Sequence, residues 1–309
     1  MKRLKHLPIL LLALVIMQSC ENTSQPRFEG DTYSVAGLLV ANQAISLEHP
    51  VYVTRSSAIE DFDPLQLFVF DAEVLIRDLD TEAEFQLQPA LDEMKVKYID
   101  PEAHVLQPEH RYRIEVRVPG YAPLIWAETT VPPSVQLLPD PWGTDPAGTG
   151  YSFDPASANA TPFSAVDSQY PVVLNTGAVS GDFNFFGQIY CLEDFSTDLE
   201  FTTTVLGIEH PDESLREVYE AGGAFRRITF LYPFTTQTLP GYEGNFLVLD
   251  DYAFSFVLYG RYSVSAYIVD DNYYRYTYMQ DGYLHGGIHN ALGYFGAASG
   301  GVMYIKIVK

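Results

Sequence analysis

The sequence predicts an all-β protein built from two domains. From Thr32 to the C-terminus, short runs rich in valine, isoleucine, leucine, phenylalanine and tyrosine are separated by proline, glycine and aspartate, which is typical of strands joined by turns. In Tyr112–Val118 the even-numbered residues are apolar and the odd-numbered ones charged, as a strand with one buried face requires. Eight of the 20 prolines lie between Pro132 and Pro171, so we expect a β domain on either side of that segment.

Residues 1–19 are predicted to be a signal peptide. Three cations precede an apolar run, Leu7–Met17, which is shorter than the roughly 20 residues that span a bilayer. The following Gln18–Ser19–Cys20 resembles the lipobox of bacterial lipoproteins. The resemblance implies that Cys20 becomes the mature N-terminus and is lipidated, and that polar residues 20–31 form a tether. An ordinary signal peptide with a chance cysteine is the alternative.

The charge of the chain restricts its partners. The formal net charge is −22, and the predicted signal peptide removes three cations and no acid. Nucleic-acid binding depends on lysine and arginine neutralising phosphates, so no nucleic-acid partner is predicted. Anionic lipid headgroups should be repelled as well. Membrane attachment must therefore come from acyl chains, in which each buried methylene contributes about 0.8 kcal/mol.

Residues 32–131 are predicted to form a β-sandwich, because seven short strands within about 100 residues favour two packed sheets. The candidate strands are Tyr33–Val40, Val51–Arg55, Glu73–Asp78, Glu84–Gln88, Lys95–Ile99, Arg111–Val118 and Leu124–Val131. Asp71–Asp78, followed by Tyr112–Val116 and Pro119–Gly120–Tyr121, resembles the prealbumin-like, carboxypeptidase-regulatory type of sandwich. The resemblance implies an Ig-like fold and carries no chemistry.

Residues 132–170 are predicted to be a connection and long loop, because proline fixes φ and removes a ladder donor. Asp140, Asp145 and Asp154 could bind a hard cation through carboxylate oxygens, but their spacing does not match an EF-hand loop. We expect them to be solvated loop acids.

Residues 171–309 are predicted to form a second β-rich domain that can hold one short helix. The candidate strands are Val172–Leu174, Phe183–Leu192, Phe201–Ile208, Phe225–Tyr232, Phe246–Leu249 and Tyr252–Val269. Asp270 or Asp271 could cap a helix that ends near Tyr283, and another strand is the alternative. Leu292–Val308 is expected to close the second domain as strands around a hairpin turn at Ser299–Gly300–Gly301.

Tyrosine is concentrated in this half, where 13 of the 22 tyrosines lie from Tyr232 onward. Tyrosine packs well on a half-buried sheet, and its apolar ring and polar tip also suit interfaces. Sheet packing is the expectation, and an exposed aromatic binding face is the alternative.

Three segments of the second half follow a known pattern. Gly181–Phe186 is similar to a Gly-Asp-x-Asn-aromatic-aromatic strand, Val264–Tyr278 to a strand followed by a tyrosine-rich helix, and Ile288–Ala297 to an Asn-x-x-Gly-Ala-Leu-Gly-Tyr-Phe ending. Together they resemble a lipoprotein family typical of Bacteroidetes, catalogued as domain of unknown function 4249. This chain lacks the usual glycine before Ala291. The resemblance implies an accessory role beside TonB-dependent outer-membrane receptors and supplies no catalytic residues.

Histidine and cysteine give little support for chemistry. His285 and His289 have a zinc-like spacing, but Gly286 and Gly287 disfavour a helix between them, so a flexible loop pair is expected. Cys191 has apolar neighbours and two adjacent acids, so a buried thiol is expected rather than a reactive one.

Adjacent carboxylates are the other candidates for chemistry. Asp250–Asp251 and Asp270–Asp271 could act on a glycosidic bond only from opposite sides of the sugar, and adjacent strand residues point to opposite faces. Solvated turn acids are the expectation for both pairs.

The predicted function is therefore that of a non-enzymatic, lipid-anchored outer-membrane protein, on the periplasmic face or the cell surface, that assists a TonB-dependent receptor in nutrient capture or uptake. No catalytic residue, cofactor or metal is expected, and the ligand is unknown. A surface hydrolase acting on glycan or peptide and a structural or adhesive module are the alternatives. Carboxylates and histidines clustered in a pocket would favour the enzyme, whereas a flat aromatic face would favour binding.

Overall fold

The computed structural model describes residues 32–56, 64–140, 150–158, 160–164, 170–193, 200, 202, 227–249 and 255–309. The predicted all-β class is confirmed, with one α-helix among the described residues. The strands are β1 Tyr33–Val40, β2 Val51–Arg55, β3 Glu73–Asp78, β4 Glu84–Asp92, β5 Lys95–Ile99, β6 Arg111–Arg117, β7 Ile125–Thr130, β8 Gln136–Leu138, β9 Ala160–Pro162, β10 Val172–Gly177, β11 Asp182–Cys191, β12 Arg227–Thr235, β13 Asn245–Leu249, β14 Gly260–Val269 and β15 Leu292–Val308, and the helix α1 is Asp271–Tyr278. The candidate strand Phe201–Ile208 lies outside the described residues, apart from Thr202.

The first sandwich is formed by strands β1 to β7 and the start of β15. The strand order is β15-β1-β2-β5-β4-β3-β6-β7. Strand β4 turns the corner between the two sheets, because Glu84–Leu87 pairs with β3 and Gln88–Asp92 pairs with β5. At the start of β6, the buried Tyr112 hydroxyl accepts a hydrogen bond of 2.8 Å from the Gln107 N–H. A tyrosine bonded to the backbone a few residues upstream is a feature of Ig-like sandwiches, so the predicted sandwich is confirmed.

The second sandwich packs the sheet β12-β11-β14-β15, with β9 beside β15, against a three-stranded sheet β13-β10-β8. Its core takes apolar side chains from both sheets, among them Ile189, Leu247 and Ile305. Here Tyr262 repeats the tyrosine arrangement, because its hydroxyl donates to the Leu258 carbonyl at 2.8 Å and accepts from the Leu258 N–H at 2.9 Å.

Strand β15 joins the two sandwiches. It pairs in parallel with β1 from Leu292 to Ala298 and antiparallel with β14 from Ala298 to Ile307. The predicted hairpin at Ser299–Gly300–Gly301 is therefore wrong. A Cβ on Gly300 would lie 2.1 Å from the Ala266 carbonyl oxygen, so this glycine allows close approach of β14 rather than a turn.

The side chains of β15 divide between two cores. Phe295 is fully buried in the core of the first sandwich, whereas Met303, Ile305 and Ile307 belong to the core of the second. The change falls at Ser299, whose buried hydroxyl accepts a 3.1 Å bond from the Val135 N–H. Phe295 was expected to close the second domain, and it stabilises the first sandwich instead.

Candidate functional site

The candidate site lies where α1 meets β7 and β15. Asp270 caps the helix, since its carboxylate accepts from the Tyr273 N–H at 3.0 Å, as an N-cap aspartate does. The predicted cap is confirmed, and the strand alternative is wrong. The helix ends at Tyr278, earlier than predicted, because Met279 adopts an extended backbone.

Asp270 also connects the helix to the first sandwich. Its second carboxylate oxygen accepts a 2.6 Å hydrogen bond from the Thr129 hydroxyl of β7, and its own N–H donates to the Ala297 carbonyl of β15 at 2.9 Å. Burial raises the pKa of Asp270 above its usual value, although these hydrogen bonds oppose the shift. The expectation of a solvated turn acid is wrong for this residue.

Two asparagines make further contacts in this region where α1 meets β7 and β15, which we call the junction. The Asn272 amide donates to the Glu128 carbonyl of β7 at 2.8 Å and to the Phe295 carbonyl of β15 at 2.9 Å. The Asn184 amide of β11 donates to the Asp271 carboxylate at 3.1 Å. The amide of Asn272 therefore covers part of the outer edge of β7, where an unpaired carbonyl would otherwise face outward.

The segment before β15 covers another part of that edge. His289 and Trp126 exchange two backbone hydrogen bonds, of 2.8 and 3.4 Å, and their rings stack at 3.9 Å and 9°. The Arg113 guanidinium lies 4.5 Å from the centre of the Trp126 ring, at cation–π distance. His289 is thus held in place, contrary to the predicted flexible loop pair, although both His285 and His289 are exposed.

These contacts bring together the three segments singled out in the sequence: the strand with Asn184, the helix α1, and the ending from Ile288. A family model described as Domain of unknown function (DUF4249) matches residues 27–301. The chain belongs to this family. No curated protein matches the DUF4249 chain. Among solved structures, the FN1-FN3 domains of chicken CNTN1 show 8% identity and a TM-score of 0.19 over 90% of this chain and 68% of that chain, a similarity too weak to bear on function.

A groove of about 370 Å³ opens onto the junction of the DUF4249 chain. It is lined by Arg111, Glu128, Thr129, Thr130, Asp270, Asp271 and Asn272. The Asp270 carboxylate is already engaged by Thr129 and the helix N–H, and Asp271 pairs with Arg275 at 3.3 Å. The Asp270 carboxylate, which is half-buried, therefore serves the junction.

An exposed aromatic surface lies on and after the helix. Tyr274 and Tyr278 stack at 5.3 Å and 14°, and Tyr278, Met279, Tyr283 and Leu284 have exposures of 67%, 45%, 47% and 58%. We call these five residues the α1 surface. The only sequence signal for it was the concentration of tyrosine, because a helix of this composition does not reveal which face is covered.

The remaining candidates have single, simple roles or fall outside the described residues. Cys191 is buried, as expected. Asp154 accepts from the Ala156 N–H and the Ser157 hydroxyl, and the Ser157 bond holds its pKa below the usual value. Asp140 is exposed, as expected for a solvated loop acid. Cys20, Asp145 and Asp250–Asp251 lie outside the described residues.

Among the described residues there is neither a metal-binding cluster nor a membrane-spanning helix. No group of three histidine, cysteine, aspartate or glutamate residues within them could hold a metal ion. In the same part of the chain, none of the helices combines the length and apolar character needed to cross a bilayer.

Proposed function

We propose that the protein is a non-enzymatic, lipid-anchored outer-membrane lipoprotein of the Bacteroidetes type that assists a TonB-dependent receptor in nutrient capture or uptake. Lipidation at Cys20 supplies the anchor, and the α1 surface binds the receptor. The observation that carries the proposal is the α1 surface, because contiguous exposed aromatic and apolar side chains mark protein interaction sites. Tyrosine is enriched among the residues that dominate binding energy.

The helix is well suited to present this surface. Its N-terminus is fixed by Asp270, and Asn272 bonds to both β7 and β15. On the inner side, Tyr273 packs edge-on against Phe186 and Tyr294. A binding surface whose backbone is already ordered loses less entropy on association, so a rigid helix favours stable binding.

The residues that the family pattern singles out support a binding role over catalysis. Asn184, Asn272 and Asp270 each use their polar atoms in bonds that hold the junction together. Asn290 does the same, donating to the Leu124 carbonyl at 2.8 Å. These side chains build the platform under the α1 surface, and both oxygens of the Asp270 carboxylate are bonded within it rather than poised for proton transfer.

The proposal is tested by copurification from detergent-solubilised membranes of the native host. Tagged wild type should recover an outer-membrane receptor identified by mass spectrometry, and the double variant Tyr278→Ser/Leu284→Ser should lose it. The control Leu91→Ser/Met94→Ser removes two side chains that are each 69% exposed. They lie at the β4–β5 hairpin, separated from β15 by β1 and β2 in the strand order. Equal recovery by all three proteins would refute the assignment of the α1 surface.

A further inference from the structure

The end of the first sandwich at which β1 begins combines the entry point of the chain, an uncharged loop and two grooves. Thr32 and Ser56 close this end, because the Ser56 N–H donates to the Thr32 carbonyl at 2.8 Å and the Thr32 N–H donates to the Ser56 hydroxyl at 2.9 Å. The chain before Thr32 therefore enters the fold here. A tether of 12 residues from Cys20 to Asp31 can reach at most about 40 Å, so an anchor at Cys20 holds this end near the membrane.

Beside the entry point lies an uncharged loop, residues 118–124. The Tyr121 N–H donates to the Val118 carbonyl at 3.0 Å, and Gly120 has φ of 81°, as a type II turn with Pro119 at its second position requires. The Tyr121 ring lies 4.7 Å from Tyr33, and its hydroxyl donates to the Asn290 carbonyl at 2.7 Å. The loop is thus fixed against the first residues of β1, with Pro119, Ala122 and Pro123 exposed.

Two grooves, of about 420 and 350 Å³, flank this loop and share Asp71, Val118 and Pro119. Phe70, which is 51% exposed, lies on the rim of the larger one. Arg55 lines one groove and Arg117 the other, while Asp71 and Glu73 supply carboxylates. Exposed apolar side chains are therefore surrounded by charges of both signs.

We propose that this end of the first sandwich, comprising the loop 118–124, Phe70, Arg55 and Arg117, rests on the interface of the bilayer that holds the acyl chains. The inference rests on the proposed lipidation of Cys20. Tyrosine favours the headgroup level of a bilayer, and arginine keeps its guanidinium at the interface while its stem lies on apolar surface. Cations beside carboxylates complement zwitterionic headgroups. Acyl anchoring overcomes the repulsion at anionic lipids, because the full-sequence net charge of −22 becomes more negative when the three cations of the signal peptide are removed.

The docked end would orient the whole chain. Strand β15 runs parallel to β1 and continues for a total of 17 residues, about 55 Å at the usual rise per residue. The entry point lies at the start of β15 and the core of the second sandwich at its end. The second sandwich would then lie away from the membrane. The α1 surface would lie between the membrane and the second sandwich, accessible to a neighbouring receptor.

The test uses the full-length lipidated protein in phosphatidylcholine vesicles containing a headgroup spin-labelled lipid. A fluorophore is attached at Ala122→Cys in the loop or, as a matched control, at Ala156→Cys in the second sandwich; both alanines are exposed, and native Cys191 is buried. We expect quenching of the Ala122 label to exceed that of the Ala156 label at least about twofold, since interfacial groups lie within about 10 Å of the headgroup boundary.

A second pair of variants tests the aromatic contact. Phe70→Glu in the Ala122→Cys protein should reduce quenching towards the level of the control site, whereas Phe153→Glu, at a side chain that is 57% exposed, should leave it unchanged. Equal quenching at the two labelled sites, in protein that floats with the vesicles, would overturn the docked orientation while leaving the lipid anchor intact. Protein that carries Cys20 but fails to float would refute the anchor itself, so the two failures are distinguishable.

Discussion

Asp270 offers the sharpest test of how the junction is held. Asp270→Ala removes the helix cap, which contributes about 1 kcal/mol. It also leaves the hydroxyl of Thr129, a residue only 5% exposed, without its 2.6 Å partner, a loss of about 1–3 kcal/mol for a buried polar group. We therefore expect the alanine variant to lose about 2–4 kcal/mol of unfolding free energy at neutral pH.

Asp270→Asn is the matched variant, because an asparagine can cap the helix and bond to Thr129 without carrying a charge. We expect it to be at least as stable as wild type at neutral pH, since it avoids the cost of burying a carboxylate. Burial raises the folded-state pKa of Asp270, so the folded protein binds more protons than the unfolded chain between the unfolded and folded pKa values. Stability of wild type relative to Asp270→Asn should therefore rise as the pH falls through that interval.

The assay is urea unfolding of the Cys20→Ser protein, monitored by tryptophan fluorescence. The pH is lowered from 7 to about 4, which is near the unfolded pKa of an aspartate. Trp126 lies on β7 and reports on the junction directly. Thr129→Val, combined with Asp270→Ala in a double-mutant cycle, isolates the energy of the bond between the two side chains. The reasoning fails if the alanine variant matches wild type, or if asparagine is as damaging as alanine.

Three further predictions follow from the same contacts. Phe295→Ala should lower the unfolding free energy by about 3–5 kcal/mol, because it leaves a cavity in the core of the first sandwich. A change below about 1 kcal/mol in urea unfolding would contradict the burial of Phe295. His289→Ala should cost about 0.5–1.5 kcal/mol by removing the ring stacked on Trp126, whereas the exposed His285→Ala should have no measurable effect; chelator should change neither result, and a chelator-sensitive melting temperature would indicate a metal site. Cys20→Ser should move the protein from the membrane fraction to the soluble fraction; a variant that still sediments with membranes after a salt wash would refute the anchor.

Much of the fold could be predicted from local sequence. Strict alternation in Tyr112–Val118 indicates a strand with one buried face, and the observed β6 ends within one residue of the prediction. The two aspartates before Asn272 indicate the start of a helix, and the first of them, Asp270, caps that helix. Alternation and a capping side chain are properties of neighbouring residues, so a single sequence shows them even though the partner strands of β6 lie far away in the chain.

The site depended on contacts between residues far apart in the chain. Ser299–Gly300–Gly301 resembles a turn in isolation. Glycine serves a continuous strand there because any Cβ on Gly300 would lie 2.1 Å from the Ala266 carbonyl oxygen of β14. Likewise, the Asp270 carboxylate is bonded across the junction because Thr129, 141 residues away, meets it there, and His289 is ordered because Trp126 provides a ring to stack on. Alternation and capping determine the elements, whereas the burial of a particular polar group follows from which elements the tertiary structure packs together.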